Sequence, residues 1–245
     1  MTRPRTLVTG GTRGIGAAVA HRLARAGHDL VLGYAQDDAS AELTEADVEG
    51  AGAGCTLVRV DLLRSEGVDE LFAAAGELTG VVNNAGATFH LGPLADTPVE
   101  VIRKTIDLNL TSAILVARSA VRAMSTAYGG SGGVLVNISS GAATRGAPGE
   151  YVQYAAAKAG VDALTLGLAE EVAEQGVRVV GVAPGMIRTT IHADAGEPGR
   201  LERVAPLIPL RRAGEPEEVA EAVAWLMSDA ASYVTGTTLR VAGGR

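Results

Sequence analysis

Short apolar runs alternate with longer alanine-rich stretches along almost the whole chain. Short runs of this kind are typical of strands, and the alanine-rich stretches favour helices. The predicted strands are residues 5–9, 29–34, 55–60, 80–83, 133–138, 177–182 and 237–241. The predicted helices are residues 14–26, 40–49, 65–75, 98–124, 151–175 and 216–228. Regular alternation predicts a parallel sheet that is covered by helices on both faces.

Two stretches depart from this pattern. The helix over residues 98–124 is broken in character near Asn109, because an asparagine is poorly placed inside a helix. Residues 186–214 show no clear periodicity, and loops of that length usually act as lids. No linker or repeat divides the chain, so we expect one domain over residues 1–245 with a substrate lid at about 186–214.

Composition narrows the possible partners. Hydrophobic residues make up 47% of the 245 residues, and the net charge is −7 without a long basic run. Nucleic acids bind to clustered positive charge, so we expect no nucleic-acid partner. The single cysteine, Cys55, excludes an intramolecular disulfide and a cysteine-rich zinc site, and the four histidines show no ligand spacing. We therefore expect no metal site.

The sequence shows no segment for membrane insertion or export. No apolar run approaches the roughly 20 residues that span a bilayer. The first five residues lead directly into the first predicted strand, without the apolar core of a secretory signal. We expect a soluble, cytoplasmic protein without a membrane partner.

A glycine-rich turn follows the first predicted strand. Gly10, Gly14 and Gly16 lie in the sequence TGGTRGIG, between that strand and the first predicted helix. Glycines in such a turn let the backbone approach a pyrophosphate closely, and the free N–H groups of the following helix point at the anion. This strand–turn–helix context predicts dinucleotide binding rather than an ordinary glycine-rich turn.

A tyrosine and a lysine lie four residues apart in the helix predicted over residues 151–175. Residues i and i+4 share one helix face, so Tyr154 and Lys158 are neighbours there. Lys104 is the only other lysine although arginine is abundant, which indicates a need for an ammonium group at Lys158. A neighbouring cation lowers the pKa of a phenol, which makes Tyr154 a candidate general acid/base. Alone, such a pair is also a common accident of a helix surface.

Four motifs together resemble those of the classical short-chain dehydrogenase/reductase family, with its 3-oxoacyl reductases and glucose dehydrogenases. In chain order they are Thr9-Gly10-x-x-x-Gly14-Ile15-Gly16, Asn83-Asn84-Ala85-Gly86, Tyr154-x-x-x-Lys158 and Pro184-Gly185. The resemblance covers essentially the whole chain. It implies a doubly wound, Rossmann-type α/β fold with a seven-stranded parallel sheet. It also implies hydride transfer between a nicotinamide cofactor and a ketone or secondary alcohol.

The resemblance implies roles for four residues in this reaction. Tyr154 passes the proton, while Lys158 holds the nicotinamide ribose and lowers the pKa of Tyr154. Ser140, 14 residues before Tyr154, is expected to hold the substrate oxygen. Ser139 is expected to be a strand-end hydroxyl with a local hydrogen bond. Asn109 matches the family asparagine that holds a water molecule linked to the lysine, the alternative being a kinked helix without chemistry.

The resemblance also assigns the cofactor site. Besides Tyr154 and Lys158, the residues expected to bind the cofactor are Gly10, Thr12, Arg13, Gly14, Ile15, Gly16, Tyr34, Asp61, Leu62, Asn84, Ala85, Gly86, Pro184, Gly185, Ile187 and Thr189. Asp61 is expected to accept a hydrogen bond from the adenine amino group, although an aspartate at a strand end is often only a turn former.

The substrate pocket is expected from residues 88–91, residues 141–145, Tyr151 and the lid. His90 and His192 fall in loops on this side of the site. We expect each to be a solvated loop residue rather than a second acid/base group.

The end of the second predicted strand bears on the choice of cofactor. NAD-specific enzymes with this fold place an acidic residue there to bind the ribose 2′-hydroxyl, but Tyr34 occupies the position. Arg13 is within reach of a 2′-phosphate, so we expect NADP(H), with NAD(H) as the less favoured cofactor. Asp37 and Asp38 are expected to cap the next helix instead of reaching the ribose. The absence of a second basic residue directly after Tyr34 argues the other way.

Three other functions stay open. One is a sugar dehydrogenase of the glucose type, or another alcohol dehydrogenase, that uses NAD(P). Another is an extended-branch epimerase or dehydratase, but those enzymes carry a larger C-terminal domain and only 87 residues follow Lys158. The third is a non-catalytic regulator, which would lack one or more of the four catalytic positions. The sequence does not select a substrate.

The same helices predict the assembly. Residues 98–124 and 151–175 carry more alanine, valine and leucine than one sheet face covers. In the resembling family this helix pair builds one two-fold interface, and residues 231–244 would build another. Two such interfaces give a closed tetramer, so we expect a homotetramer.

Overall fold

The computed structural model describes residues 3–245; the first two residues, on which the expectation about a secretory signal partly rests, lie outside that range. All seven strands form one parallel sheet in the order β3-β2-β1-β4-β5-β6-β7. Their bounds are β1 Arg5–Thr9, β2 Asp29–Tyr34, β3 Cys55–Arg59, β4 Gly80–Asn83, β5 Gly133–Ile138, β6 Val177–Pro184 and β7 Thr238–Val241. The expectation of a doubly wound, seven-stranded parallel sheet is confirmed.

Helices cover both faces of this sheet. Their bounds are α1 Gly14–Arg25, α2 Asp38–Gly50, α3 Ser65–Ala75, α4 Val99–Ile106, α5 Ser112–Met124, α6 Ala142–Arg145, α7 Val152–Val172, α8 Ile191–Asp194, α9 Arg200–Val204 and α10 Pro216–Met227. None of the helices in residues 3–245 combines the length and apolar character that crossing a membrane requires.

Alternate side chains of the strands enter two separate cores. Leu7 packs with α3, α5 and α7, whereas the next residue, Val8, packs with α1, α2 and α10. Leu135 and Val136 divide in the same way on β5. Because neighbouring residues of a strand point to opposite faces, a strand covered on both sides must be apolar throughout. This is why the strands are continuous apolar runs in the sequence.

The predicted break near Asn109 is confirmed. The chain forms α4, then a π-helical turn over Asp107–Thr111, then α5. The wider turn places Asn109 in the interior, where none of its surface is exposed. Insertions of this kind are frequent at functional sites.

The segment over residues 186–214 is more ordered than its sequence pattern indicates. It contains α8, α9 and a 3₁₀ turn over Ala205–Leu207. Its ends are held together, since the amide of Gly214 donates to the carbonyl of Met186 at 2.9 Å and the amide of Arg188 donates to the carbonyl of Gly214 at 2.9 Å. The segment therefore leaves and returns to the same point at the edge of the sheet.

Candidate active site

The carboxyl ends of the strands open into a cleft of about 570 Å³. The cleft lies where the strand order reverses between β1 and β4, the position at which doubly wound sheets bind ligands. Every residue that the sequence assigned to the cofactor lines this cleft, as do Ser140, Tyr151, Tyr154 and Lys158. Among the predicted catalytic residues Asn109 is the exception, because it lies behind the lining. The expected substrate pocket is only partly correct: Thr88, Gly141, Ala142 and Arg145 line the cleft, whereas Phe89, His90, Leu91, Ala143 and Thr144 do not.

The glycine turn after β1 forms a cradle that only glycine can build. Gly10 and Gly14 have φ values of 60° and 52°, which L residues with a side chain rarely adopt. A Cβ atom at Gly16 would overlap the carbonyl oxygen of Gly10. The first amides of α1 also receive no side-chain cap from Arg13. The first amides of the helix are free, and the glycine backbone leaves space in front of them. This arrangement fits the pyrophosphate of a dinucleotide.

Two polar residues fix this cradle to the end of β4. The Thr9 hydroxyl accepts from the amides of Asn84 at 2.9 Å and Ala85 at 3.0 Å. Asn84 Nδ2 donates in return to the carbonyls of Thr9 at 2.9 Å and Gly10 at 3.0 Å. Thr9 was not singled out in the sequence for a site role, because its contribution is visible only when β4 lies beside β1.

Tyr154 lies at the other end of the cleft with 8% of its surface exposed. The ring of Tyr151 packs edge-on against it, with the ring centroids 5.4 Å apart. Burial raises the pKa of Tyr154, and the Ser140 side chain acts in the opposite direction. The expectation that Lys158 lowers this pKa is therefore not met in the protein alone, since the lysine Nζ lies 5.8 Å from the ring centroid.

Lys158 is a buried lysine with 4% of its surface exposed. Its Nζ donates to the carbonyl of Ile138 at 2.8 Å. Burial lowers the pKa of Lys158 to about 8, and the nearby Asp162 raises it only in part. The ammonium group is thus held at the cleft wall with little water around it.

Asn109 approaches Lys158 from the interior side of the cleft wall. Its Nδ2 donates to the carbonyls of Ala87 and Thr105, each at 2.9 Å, and its Oδ1 accepts from the amide of Ala87 at 3.2 Å. A Cβ atom at Gly86 would lie 2.7 Å from Asn109 Oδ1 and 3.3 Å from Lys158 Nζ. The asparagine and the lysine therefore meet across Gly86, although the π turn and α7 are far apart in sequence.

The two candidate serines have different partners. Ser140 lines the cleft, acts to lower the pKa of Tyr154, and accepts from the amide of Ala142 at 3.1 Å. Ser139 donates to the carbonyl of Lys158 at 3.2 Å. The expectation of a local partner for Ser139 is wrong, because the hydroxyl ties the end of β5 to α7.

The residues that bear on cofactor choice lie in or beside the adenosine end of the cleft. Asp37 caps α2 by accepting from the amide of Ser40 at 3.1 Å, and its Oδ2 lies 3.9 Å from Arg13 Nη1. Asp38 accepts from the Tyr34 hydroxyl at 3.0 Å and from Arg59 Nη1 at 3.1 Å. The predicted capping role is confirmed for Asp37 and wrong for Asp38, which is the first residue of α2 and binds Tyr34 and Arg59 instead. Arg59 is the second basic residue that the sequence did not indicate, since it is brought there by its register opposite Tyr34.

Asp61 also lies at this end. Its Oδ1 accepts from the amide of Leu63 at 3.0 Å, which stabilises the turn after β3. Asp61 also lines the cleft. The second oxygen is available for a ligand in this arrangement.

The substrate end of the cleft contains charged residues that the sequence did not indicate. Arg200 of α9 has 3% of its side chain exposed, and it donates to Glu150 at 2.5 Å, to Glu197 at 2.9 Å and to the Tyr151 hydroxyl at 3.1 Å. Arg245 also lines this end. No spacing in the sequence relates these arginines to Tyr154, and only the fold brings them together.

His192 corrects a further expectation. It lines the cleft and is half-buried rather than solvated, and burial together with Arg200 lowers its pKa to about 4. The imidazole is thus neutral at physiological pH. No group of three or more histidine, cysteine, aspartate or glutamate side chains in the described part of the chain is arranged to hold a metal ion.

Comparison with known proteins gives related oxidoreductases. A family model described as Enoyl-(Acyl carrier protein) reductase matches residues 10–245. The uncharacterized oxidoreductase YgfF of Escherichia coli K12 is 44% identical over 243 residues, which cover 98% of each chain. The 3beta-hydroxysteroid dehydrogenase 1 of Eggerthella lenta is 40% identical over 97% of this chain and 92% of its own length.

Among solved structures, the crystal structure of levodione reductase superimposes with a TM-score of 0.92. It is 30% identical and covers 100% of this chain and 98% of its own. The cleft and its lining therefore belong to a fold whose relatives are named as dehydrogenases and reductases.

Proposed function

This chain belongs to the short-chain dehydrogenase/reductase family, and we propose that it is an NADP(H)-dependent reductase of ketones that also oxidises the matching secondary alcohols. The family establishes an oxidoreductase that acts on CH–OH and C=O groups. The observation that supports the finer proposal is the single cleft in which the glycine cradle leads to Ser140, Tyr154 and Lys158.

The chain's own residues supply the following chemistry under this proposal. A nicotinamide cofactor held by the cleft residues would supply or accept the hydride. In reduction, Tyr154 donates its hydroxyl proton to the substrate oxygen, while Ser140 donates a hydrogen bond to the same oxygen and polarises the carbonyl. Lys158 donates to the ribose beside the nicotinamide. Asn109 is a positioning residue that holds the backbone at Gly86 and the environment of Lys158.

A panel of ketones and alcohols read at the nicotinamide absorbance tests the reaction class. The panel contains 3-oxoacyl thioesters, hydroxysteroids, cyclic ketones and glucose. Oxidation of NADPH with at least one ketone is the expected result. Activity confined to glucose would favour the sugar-dehydrogenase alternative, and no turnover with any pair would contradict the proposal.

The residues after β2 support NADP(H). Tyr34 lines the cleft, whereas Asp37 and Asp38 do not. Both carboxylates are engaged by other groups, which supports NADP(H) over NAD(H). Arg13 has 58% of its side chain exposed, and its guanidinium fork suits a phosphate.

Exchange of these groups is expected to reverse the cofactor preference. The wild-type kcat/KM for NADPH should exceed that for NADH by about tenfold or more, on the order of 1.4 kcal/mol. The double variant Tyr34→Asp with Arg13→Ala should lose or invert that ratio, because it adds a carboxylate and removes the cation. Arg25→Ala, at the other end of α1, is the control and should keep the wild-type ratio. A wild type that favours NADH would show that Asp37 or Asp38 reaches the ribose.

We also propose that the chain forms a homotetramer. Ile114 of α5 and Leu166 of α7 are 43% and 54% exposed, and Trp225 and Leu239 are 44% and 37% exposed near the other predicted interface. Exposed apolar side chains on two separate surfaces suit two different two-fold contacts. Light scattering at micromolar concentration should give four times the 24.9 kDa of the chain. A monomer mass would contradict this assembly.

Finally, we propose that residues 186–214 form the substrate lid. The ion pair from Arg200 on α9 to Glu150 joins this segment to the loop before α7. Movement of the lid would therefore have to break contacts that also hold Tyr151.

A further inference from the structure

Three unpaired polar atoms meet at the substrate end of the cleft. Six buried side-chain N or O atoms in residues 3–245 have no hydrogen-bond partner, and half of them are the Nε of Arg200, the Nη1 of Arg245 and the Nδ1 of His192. All three side chains line this one cleft. Buried polar groups are normally hydrogen-bonded, so unpaired ones on side chains that line a cleft indicate a ligand with complementary groups. The arginine nitrogens are donors only, and the complement of a donor is an acceptor.

The acidic side chains at the substrate end of the cleft already have hydrogen-bond or ion-pair partners. Glu150 and Glu197 both pair with Arg200, and Glu197 also pairs with Arg203. The remaining carboxylate of the lining, Asp194, accepts from the Thr190 hydroxyl at 3.0 Å. These acids therefore neutralise the lid arginines and leave no carboxylate paired with the other cations of the cleft.

Those other cations are Arg145 and Arg245. Both line the cleft, and neither forms an ion pair within the described residues. Burial lowers the pKa of Arg245, Arg145 acts in the same direction and Glu150 in the opposite one. Arg145 ends α6, which Arg240 of β7 anchors by donating to the carbonyl of Gly141 at 3.1 Å and to the Thr144 hydroxyl at 2.6 Å. Arg145 and Arg245 thus line the cleft without an ion-pair partner among the described residues.

We propose that the substrate carries a carboxylate, which Arg245 and Arg145 bind at the substrate end of the cleft. A carboxylate supplies two acceptor oxygens and one negative charge, which match a guanidinium fork. Both arginines line the same cleft as Tyr151 and Tyr154, so a ligand in the cleft can contact the arginines and the reaction centre together. The proposal names the substrate class for the proposed reductase and rests on that function.

Matched oxo-acids and amides test the proposal. The probes are 4-oxopentanoate, 5-oxohexanoate and 4-oxocyclohexanecarboxylate, each compared with its primary amide, which has nearly the same shape without the charge. Wild type should show a kcat/KM at least tenfold higher for the acid in one or more pairs. Arg245→Gln should remove that preference and change kcat/KM for the amide by less than twofold. Arg145→Gln should reduce the preference less, because its side chain is more exposed.

Two controls separate recognition from folding. Arg25→Gln changes an exposed arginine outside the cleft and should preserve the preference for the acid. Arg245→Lys keeps a positive charge without the fork and should retain part of the preference. Calorimetric titration of the preferred acid into the protein with its cofactor should show at least tenfold weaker binding to Arg245→Gln than to wild type.

The outcomes distinguish the two proposals. Reduction of amides without preference for any acid would overturn the carboxylate proposal and leave the reductase intact. Equal losses for acid and amide in Arg245→Gln would also overturn it, because that pattern indicates a structural role. Failure to oxidise NADPH with any ketone, charged or neutral, would overturn the reductase itself, and the carboxylate proposal with it.

Discussion

Replacement of Tyr154 by phenylalanine is expected to lower kcat by about 10²–10⁴-fold, the usual cost of losing a general acid/base. The variant keeps the buried ring and its edge-on contact with Tyr151, so the packing that surrounds the site is unchanged. Only the phenolic hydroxyl is lost. Affinity for the cofactor should stay within about twofold of wild type, because the glycine cradle and Lys158 are untouched. Stopped-flow turnover and fluorescence titration measure the two quantities separately.

Tyr128→Phe is the matched control for this variant. Tyr128 is 61% exposed and lies outside the cleft, so loss of its hydroxyl should leave turnover unchanged. Wild-type turnover by Tyr154→Phe on a good ketone would mean that another group passes the proton. His192 would then be the next candidate, because it lines the same cleft and is neutral.

The burial of Tyr154 has a consequence for the direction of the reaction. Reduction needs a protonated phenol, and burial raises the pKa of Tyr154, so the protein alone holds the form that donates. Oxidation needs the opposite form, and a positive charge near the phenol favours it. The protein alone thus holds Tyr154 in the protonated form that reduction requires.

Local pattern was sufficient to predict the sheet, the glycine turn and the break at Asn109. A strand buried on both faces must be apolar along its whole length, and a pyrophosphate cradle must contain glycine where a Cβ would collide, as at Gly16. Because such constraints act on neighbouring residues, they can be recognised in the local sequence pattern. The same is true of Asp37, which can cap α2 only from a position directly before it.

Features that depend on contacts between distant segments could not be predicted from the local sequence pattern. Arg59 reaches Asp38 because β3 pairs with β2 in one particular register. Arg200 meets Tyr151 because α9 folds over the start of α7. The pKa of Tyr154 was expected to fall because Lys158 is near in sequence, yet it rises because burial outweighs a charge that is directed at Ile138. Burial is a property of the whole fold and cannot be read from a spacing of four residues.

Lys158→Met is expected to have opposite effects on activity and stability. Turnover and cofactor affinity should both fall, with kcat/KM lower by about 10²-fold or more, because the ammonium group that holds the ribose is removed. Stability at pH 7 should rise, since burial of an ammonium group without a paired carboxylate is costly. Methionine fills a similar volume without charge.

The sign of the stability change follows from the pKa values. The pKa of Lys158 is about 8 in the folded chain and 10.5 in the reference state. Between these values the unfolded chain binds more protons, so the stability of wild type rises with pH there, and below pH 8 the full cost of about 3 kcal/mol is present. Loss of the hydrogen bond to Ile138 offsets about 1 kcal/mol of the gain. The variant should therefore be more stable than wild type by about 2 kcal/mol at pH 7.

Chemical denaturation at pH 7 and at pH 10 tests this result, with Lys104→Met as the control. Lys104 is the only other lysine, is exposed and lies over the Phe89 ring, so its replacement should change the free energy of unfolding by about 0.5 kcal/mol or less. The advantage of Lys158→Met over wild type should shrink as the pH rises from 8 towards 10.5, because wild type then folds with a neutral lysine at lower cost. A variant that is destabilised equally at both pH values would show that the ammonium group is stabilised in place by its surroundings. In that case the buried lysine would hold the fold together as well as the cofactor.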